Sequence, residues 1–103
     1  MKHVLIIGGG AAGMMAALSA LNGGAEVTLL EKNEKTGKKI YITGKGRCNL
    51  TNDCDEADFF ENICTNPRFM YSSFYGFTNH DLMALMEQEG LRLKTERGGR
   101  VFP

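Results

Sequence analysis

The sequence predicts an α/β fold, the βαβ opening of a doubly wound parallel sheet. Three observations within the first thirty-one residues carry that reading. Residues 4–7 (VLII) are a continuous, largely β-branched run ending on glycine, as expected of a strand buried on both faces of a parallel sheet. Residues 12–22 are rich in Ala, Met and Leu and stop at Asn22-Gly23-Gly24, which predicts a helix. Residues 26–31 (EVTLLE) form a second strand with Val27, Leu29 and Leu30 as its apolar positions. Strand, helix and strand in so short a stretch make a βαβ unit.

Beyond it, residues 32–53 are polar and glycine-rich, with Ile40-Tyr41-Ile42 as an apolar island. Helical stretches are predicted at 55–64 and 67–76, with Pro67 tolerated in a first turn. Thr78 is the candidate cap of a further helix whose apolar stripe is Leu82, Leu85 and Met86, and Gly90 stops it. Residues 91–96 read as a strand, and Gly98-Gly99 as a turn into Arg100-Val101-Phe102, the start of a β-hairpin. The chain therefore divides into 1–31, 32–53 and 54–103, all parts of one incomplete N-terminal domain.

Composition narrows the function classes. The 103 residues suffice for one small domain with a modest core. Basic and acidic residues balance at twelve each, which argues against partners such as bulk nucleic acid or an anionic membrane. Apolar runs are short and broken by glycine, so no membrane span is expected. The N-terminus runs directly into the first strand rather than a cleavable leader, and a cytoplasmic location is the default expectation. Three cysteines (Cys48, Cys54, Cys64) without a C-x-x-C pair suit neither a disulfide framework nor a zinc site, and no metal is expected. Nothing in the composition bears on oligomeric state.

The chemistry concentrates in the glycines. Gly8-Gly9-Gly10-Ala11-Ala12-Gly13 is G-x-G-x-x-G, the fingerprint of a Rossmann-like dinucleotide site. Gly8 permits the tight turn out of the strand, and Gly10 lets the backbone approach a pyrophosphate. Gly13 lets the helix pack close to the strands. Ala11 and Ala12 open that helix, whose unpaired N–H groups and positive end face the phosphates. Glu31 ends the second strand eighteen residues after Gly13, where a carboxylate accepts hydrogen bonds from the adenosine ribose. The same acid disfavours a 2′-phosphate, and so NADP, at this position; Lys32 beside it softens that argument without reversing it. The fingerprint alone does not separate NAD from FAD.

Residues 36–52 (TGKKIYITGKGRCNLTN) carry three glycines, three lysines and an arginine directly after the ribose acid. This suits a loop wrapping a pyrophosphate, with close backbone approach and charge-assisted hydrogen bonds. A solvated basic loop is the plainer alternative.

With these residues in view, the chain resembles the BaiN-like (aminoacetone-oxidase-type) branch of NAD(P)/FAD-dependent oxidoreductases. GGGAAGMMAA at 8–17, the ExxxKxGKKIxxTGxGRCNLTN pattern at 31–52 and GGRVFP at 98–103 carry the resemblance. It implies FAD as cofactor, with Gly44, Gly46, Arg47, Cys48 and Asn49 near its pyrophosphate and flavin side and Lys39 with them. Lys45 stands where many members have glycine. The implied activity passes reducing equivalents between NAD(P)H, as co-substrate, and an unidentified organic substrate. Members of this branch are several times longer, so the chain reads as an N-terminal fragment of such an enzyme, inactive by itself. A nucleotide-binding module without turnover, or a truncated fragment without activity, remains the alternative.

The remaining residues weigh toward structure. Cys48 and Cys54 form a C-x₅-C spacing that invites comparison with flavin disulfide reductases, but ordinary free thiols fit better. His3 and His80 have no partner constellation in the sequence, and Arg97 and Arg100 read as a solvated hairpin tip. Phe59, Phe60, Phe69, Tyr71, Phe74, Tyr75 and Phe77 read as core that covers a sheet face. No catalytic residue can be named, which suits an enzyme whose cofactor carries the redox chemistry.

Overall fold

The apolar run at the N-terminus forms β1 (His3–Ile7), and the chain returns through α1 (Ala11–Asn22) to β2 (Glu26–Leu30). The computed structural model describes all residues from Met1 to Pro103. β1 and β2 pair in parallel, His3 opposite Glu26 and Ile7 opposite Leu30, as the βαβ pattern predicts. α1 ends at Gly23-Gly24, where Gly24 takes a left-handed φ of +86°. A segment of 3₁₀ turns, Ile40–Gly46, broken by non-helical backbone at Thr43, Gly44 and Lys45, follows β2 in place of a plain loop.

One expectation needs correcting. The run at 4–7 reads as a strand covered on both faces, yet only alternate residues (Val4, Ile6) are half-buried, on the face that α1 packs against. Leu5 and Ile7 are 60% and 80% exposed, and Leu30 is likewise open. One helix covers one face, and no second layer lies on the other.

The chain forms two compact units, Met1–Cys48 and Asn49–Pro103. The second unit holds a three-stranded antiparallel sheet, β3 (Thr51–Asn52), β5 (Arg100–Phe102) and β4 (Lys94–Thr95) in that spatial order. Its helices are α2 (Glu56–Glu61), α3 (Tyr71–Gly76) and α4 (Asn79–Gln88). The buried apolar residues Phe74, Val101 and Phe102 all belong to it, Val101 being fully enclosed. Its aromatics pack on one another: Phe59 stacks on Phe74 at 4.2 Å, and Phe60 meets Phe74 and Tyr71 edge-on. Phe69, in contrast, is exposed.

Element ends have identifiable causes. The predicted helix at 55–64 is shorter because Asn62 closes it, its Nδ2 donating to the Asp58 carbonyl at 2.8 Å. The stretch at 67–76 is a 3₁₀ turn, Pro67–Met70, running into α3. Thr78 caps α4 as predicted, and Asp81 reciprocates to complete a capping box. The predicted strand at 91–96 shrinks to two residues. Gly90, left-handed at φ +91°, and the Leu91 amide, donating to the Met86 carbonyl at 3.0 Å, finish the helix first.

Candidate functional site

The site begins where β1 ends. Gly8 turns the chain with a φ of +102°, which only glycine adopts freely, and its N–H donates to the Leu30 carbonyl at 2.8 Å. Gly9 is buried: its N–H donates to Glu31 Oε1 at 2.8 Å, and its carbonyl accepts from the Gly37 amide at 2.7 Å. A Cβ there would lie 2.8 Å from Thr36 and 2.9 Å from Leu29. A Cβ on Gly13 would run into the Gly8 carbonyl, so the third fingerprint glycine sets how closely α1 packs. Gly10 is different. A Cβ on it would meet nothing within 4 Å, so its glycine leaves space rather than relieving a contact.

That space is part of a cleft of ≈ 840 Å³, within the size range of small-molecule sites. Gly8, Gly10 and Ala11 line it, together with Glu31 and Lys32 after β2 and Lys38, Lys39, Ile40 and Thr43 further along the chain. The first turn of α1 enters it with no side-chain cap and no acidic residue, so its leading amides stay available to a ligand. The Glu31 carboxylate belongs to the same lining. Its Oε2 accepts from the Asn33 amide at 2.8 Å and from Asn33 Nδ2 at 2.9 Å. The backbone N–H groups of Asn33 and then Gly9 hold its pKa below the ordinary value of 4.5, so the group is ionised at neutral pH. Among the nearby cations, Lys38 leans on Glu34 at 3.6 Å and Lys35 sits 3.8 Å over the Tyr41 ring. Lys32, whose charge acts on Glu31, and Lys39 also line the cleft. An uncapped helix end, two cations and one fixed acceptor are chemistry that suits an anion joined to a hydroxylated group.

The predicted residues divide accordingly. Gly8, Gly10, Ala11, Glu31, Lys32 and Lys39 line the cleft, with Ala12 and Gly13 in the adjoining turn of α1. Gly44, Gly46 and Cys48 take left-handed φ values (+58°, +85° and +59°) with Arg47 right-handed at φ −94° between them, and none of the four lines it. Lys45 lies among them at φ +55°, a conformation that glycine would take without strain. Asn49 belongs to the second unit. The fingerprint reading passed over Gly9 and Asn33. The legible signal for Gly9 was the unbroken Gly8-Gly9-Gly10 run, since a tolerant x position does not call for glycine.

In the second unit, two of the sequence motifs become neighbours. Asn52 stands opposite Arg100 in the β3–β5 ladder, and its Nδ2 donates to the Gly98 carbonyl at 3.0 Å. A Cβ on Gly99 would come within 2.6 Å of Asn52 Oδ1. Buried Asn79 donates from Nδ2 to the Asn52 carbonyl at 2.7 Å and the Cys54 carbonyl at 3.0 Å, tying α4 to the exit of β3. The 51–52 and 98–100 segments thus brace each other. His80 pairs with Asp53 at 2.7 Å, and His3 with Glu26 at 3.0 Å. All three cysteines are free, and burial pushes the Cys54 thiol up, the reverse of what a redox nucleophile needs. No group of His, Cys, Asp or Glu is placed to hold a metal ion, and no helix is long and apolar enough to cross a membrane.

The family model for the HI0933-like protein Rossmann domain matches residues 2–103. The chain belongs to that family. It is 39% identical, over its whole length, to a 3-dehydro-bile acid delta(4,6)-reductase of Clostridium scindens. It is 36% identical over 95% of its length to a ribosomal RNA dihydrouridine synthase of Escherichia coli. A phytoene desaturase of Fusarium fujikuroi matches 89% of the chain at 34% identity. The chain spans about a quarter of the length of the first two relatives, 25% and 24%.

Proposed function

We propose that the first unit holds the ADP half of FAD, and that the chain is the FAD-binding portion of a flavin-dependent oxidoreductase. The observation that carries this reading is the uncapped start of α1 at Gly10, opening on a cleft that ends at ionised Glu31. In it, the amides of Ala11, Ala12 and Gly13 face the pyrophosphate, where the helix end and Lys39 offset its charge. Glu31 accepts from the adenosine ribose, and Lys32 flanks it. Gly44, Gly46, Arg47, Cys48 and Asn49 lie toward the flavin side, a placement that rests on the resemblance alone. FAD when bound supplies the hydride chemistry; this chain's residues bind and orient it.

The relatives support the reaction class, since their names are those of a reductase, a dihydrouridine synthase and a desaturase. The parent activity proposed is transfer of reducing equivalents between NAD(P)H and an organic substrate, in the cytoplasm. The test is a thermal melt of the purified chain with FAD, ADP and 2′-phospho-ADP, with the visible spectrum recorded alongside. FAD and ADP are expected to raise the melting temperature and 2′-phospho-ADP to do so less; at a hundredfold excess over Kd the gain is about 2.7 kcal/mol. No shift with FAD or ADP at millimolar concentration sinks the proposal.

A further inference from the structure

The dinucleotide fingerprint gives Asn33 no task, yet Asn33 makes two of the three hydrogen bonds that hold the Glu31 carboxylate. Both fall on Oε2, at 2.8 Å from the backbone amide and 2.9 Å from Nδ2. The third, from the Gly9 amide at 2.8 Å, falls on Oε1. A carboxylate offers about four acceptor positions, two on each oxygen. Oε2 is therefore full, and Oε1 retains one. Asn33 is exposed and lies outside any helix or strand, so it has no core to support.

We infer that Asn33 is a positioning residue that saturates Oε2 of Glu31, so that the carboxylate offers one remaining acceptor position, on Oε1, to a single ribose hydroxyl. The inference rests on the nucleotide reading proposed above. It differs from a two-handed clasp, in which Glu31 takes both ribose hydroxyls, because that clasp requires the Asn33 bonds to break. The site then selects a ribose by one hydroxyl, beside the Gly9 amide.

Calorimetric titration of the full chain with ADP, 2′-deoxy-ADP and 3′-deoxy-ADP tests it. One deoxy compound is expected to bind about tenfold more weakly than ADP and the other within about twofold. In Asn33→Ala, ADP affinity is expected to fall about 3- to 10-fold and the preference between the deoxy compounds to shrink, with Asn33→Ser recovering part of both. Carboxyl NMR gives a readout independent of ligand: the Glu31 pKa should rise in Asn33→Ala, because the Nδ2 donor to the ionised form is lost while the backbone amide remains. Equal losses with both deoxy compounds overturn the inference, as does an Asn33→Ala chain with unchanged selectivity and unchanged Glu31 titration. A wild-type chain that binds none of the three nucleotides instead overturns the nucleotide reading, and this inference falls with it.

Discussion

The starts of α1 and α4 face the same physical problem and resolve it in opposite ways. Each leaves its leading amides without intrahelical partners. At α4, Thr78 and Asp81 cap the start reciprocally, and at α2 the Asp55 side chain accepts from the Asp58 amide. At α1, Gly10 offers no side chain, and no acid stands in the first turn. The contrast extends to the units that hold them. The second unit encloses Phe74, Val101 and Phe102, whereas the only buried residues of the first are Gly9 and Gly37. The second unit caps its helix starts with side chains; the first leaves the start of α1 uncapped beside a cleft that Lys32, Lys39 and Glu31 line.

Three substitutions break or sharpen that contrast. Gly13→Val has the largest expected effect, since its side chain meets the Gly8 carbonyl and forces α1 off β1. A loss of about 3 kcal/mol in urea unfolding is expected, with nucleotide binding abolished. Gly10→Asp makes α1 resemble α4. Its Cβ enters open space at φ −83°, so the fold should keep its stability or gain a few tenths of a kcal/mol from the new cap. Affinity for ADP should drop on the order of 100-fold, as a carboxylate takes the amides and repels the pyrophosphate. Unchanged ADP binding by Gly10→Asp would remove the phosphate role from α1. The smallest effect belongs to Thr78→Ala, which strips the cap from α4. Chemical denaturation should register about 1 kcal/mol, while ADP titrations match the wild type.

The βαβ unit and the cap of α4 were legible because their signals are local. β-branched runs, the Asn22-Gly23-Gly24 stop and Thr78 three residues before Asp81 act through neighbouring dihedrals and bonds. Strand ends were less legible, as at residues 91–96, where the cap of α4 and a short ladder competed for the same backbone. Within the candidate site, the glycine fingerprint and Glu31 were read from spacing. The environment of Glu31 was not, because Gly9 reaches it across 22 residues.

From residue order alone follow the α/β class, the glycine turn behind β1, the α1 crossover and the acid that ends the site. Each depends on φ preference, periodicity or a fixed spacing. Tertiary structure decided that Gly9 is the enclosed glycine and that Gly10 faces open space. It also decided that Asn33 fills one oxygen of Glu31, and that Asn52 meets Gly98 across 46 residues. It left Leu5 and Ile7 uncovered where their apolar character predicted burial. A residue's own chemistry states what it favours burying; only the partners that the fold brings to it decide whether it is buried.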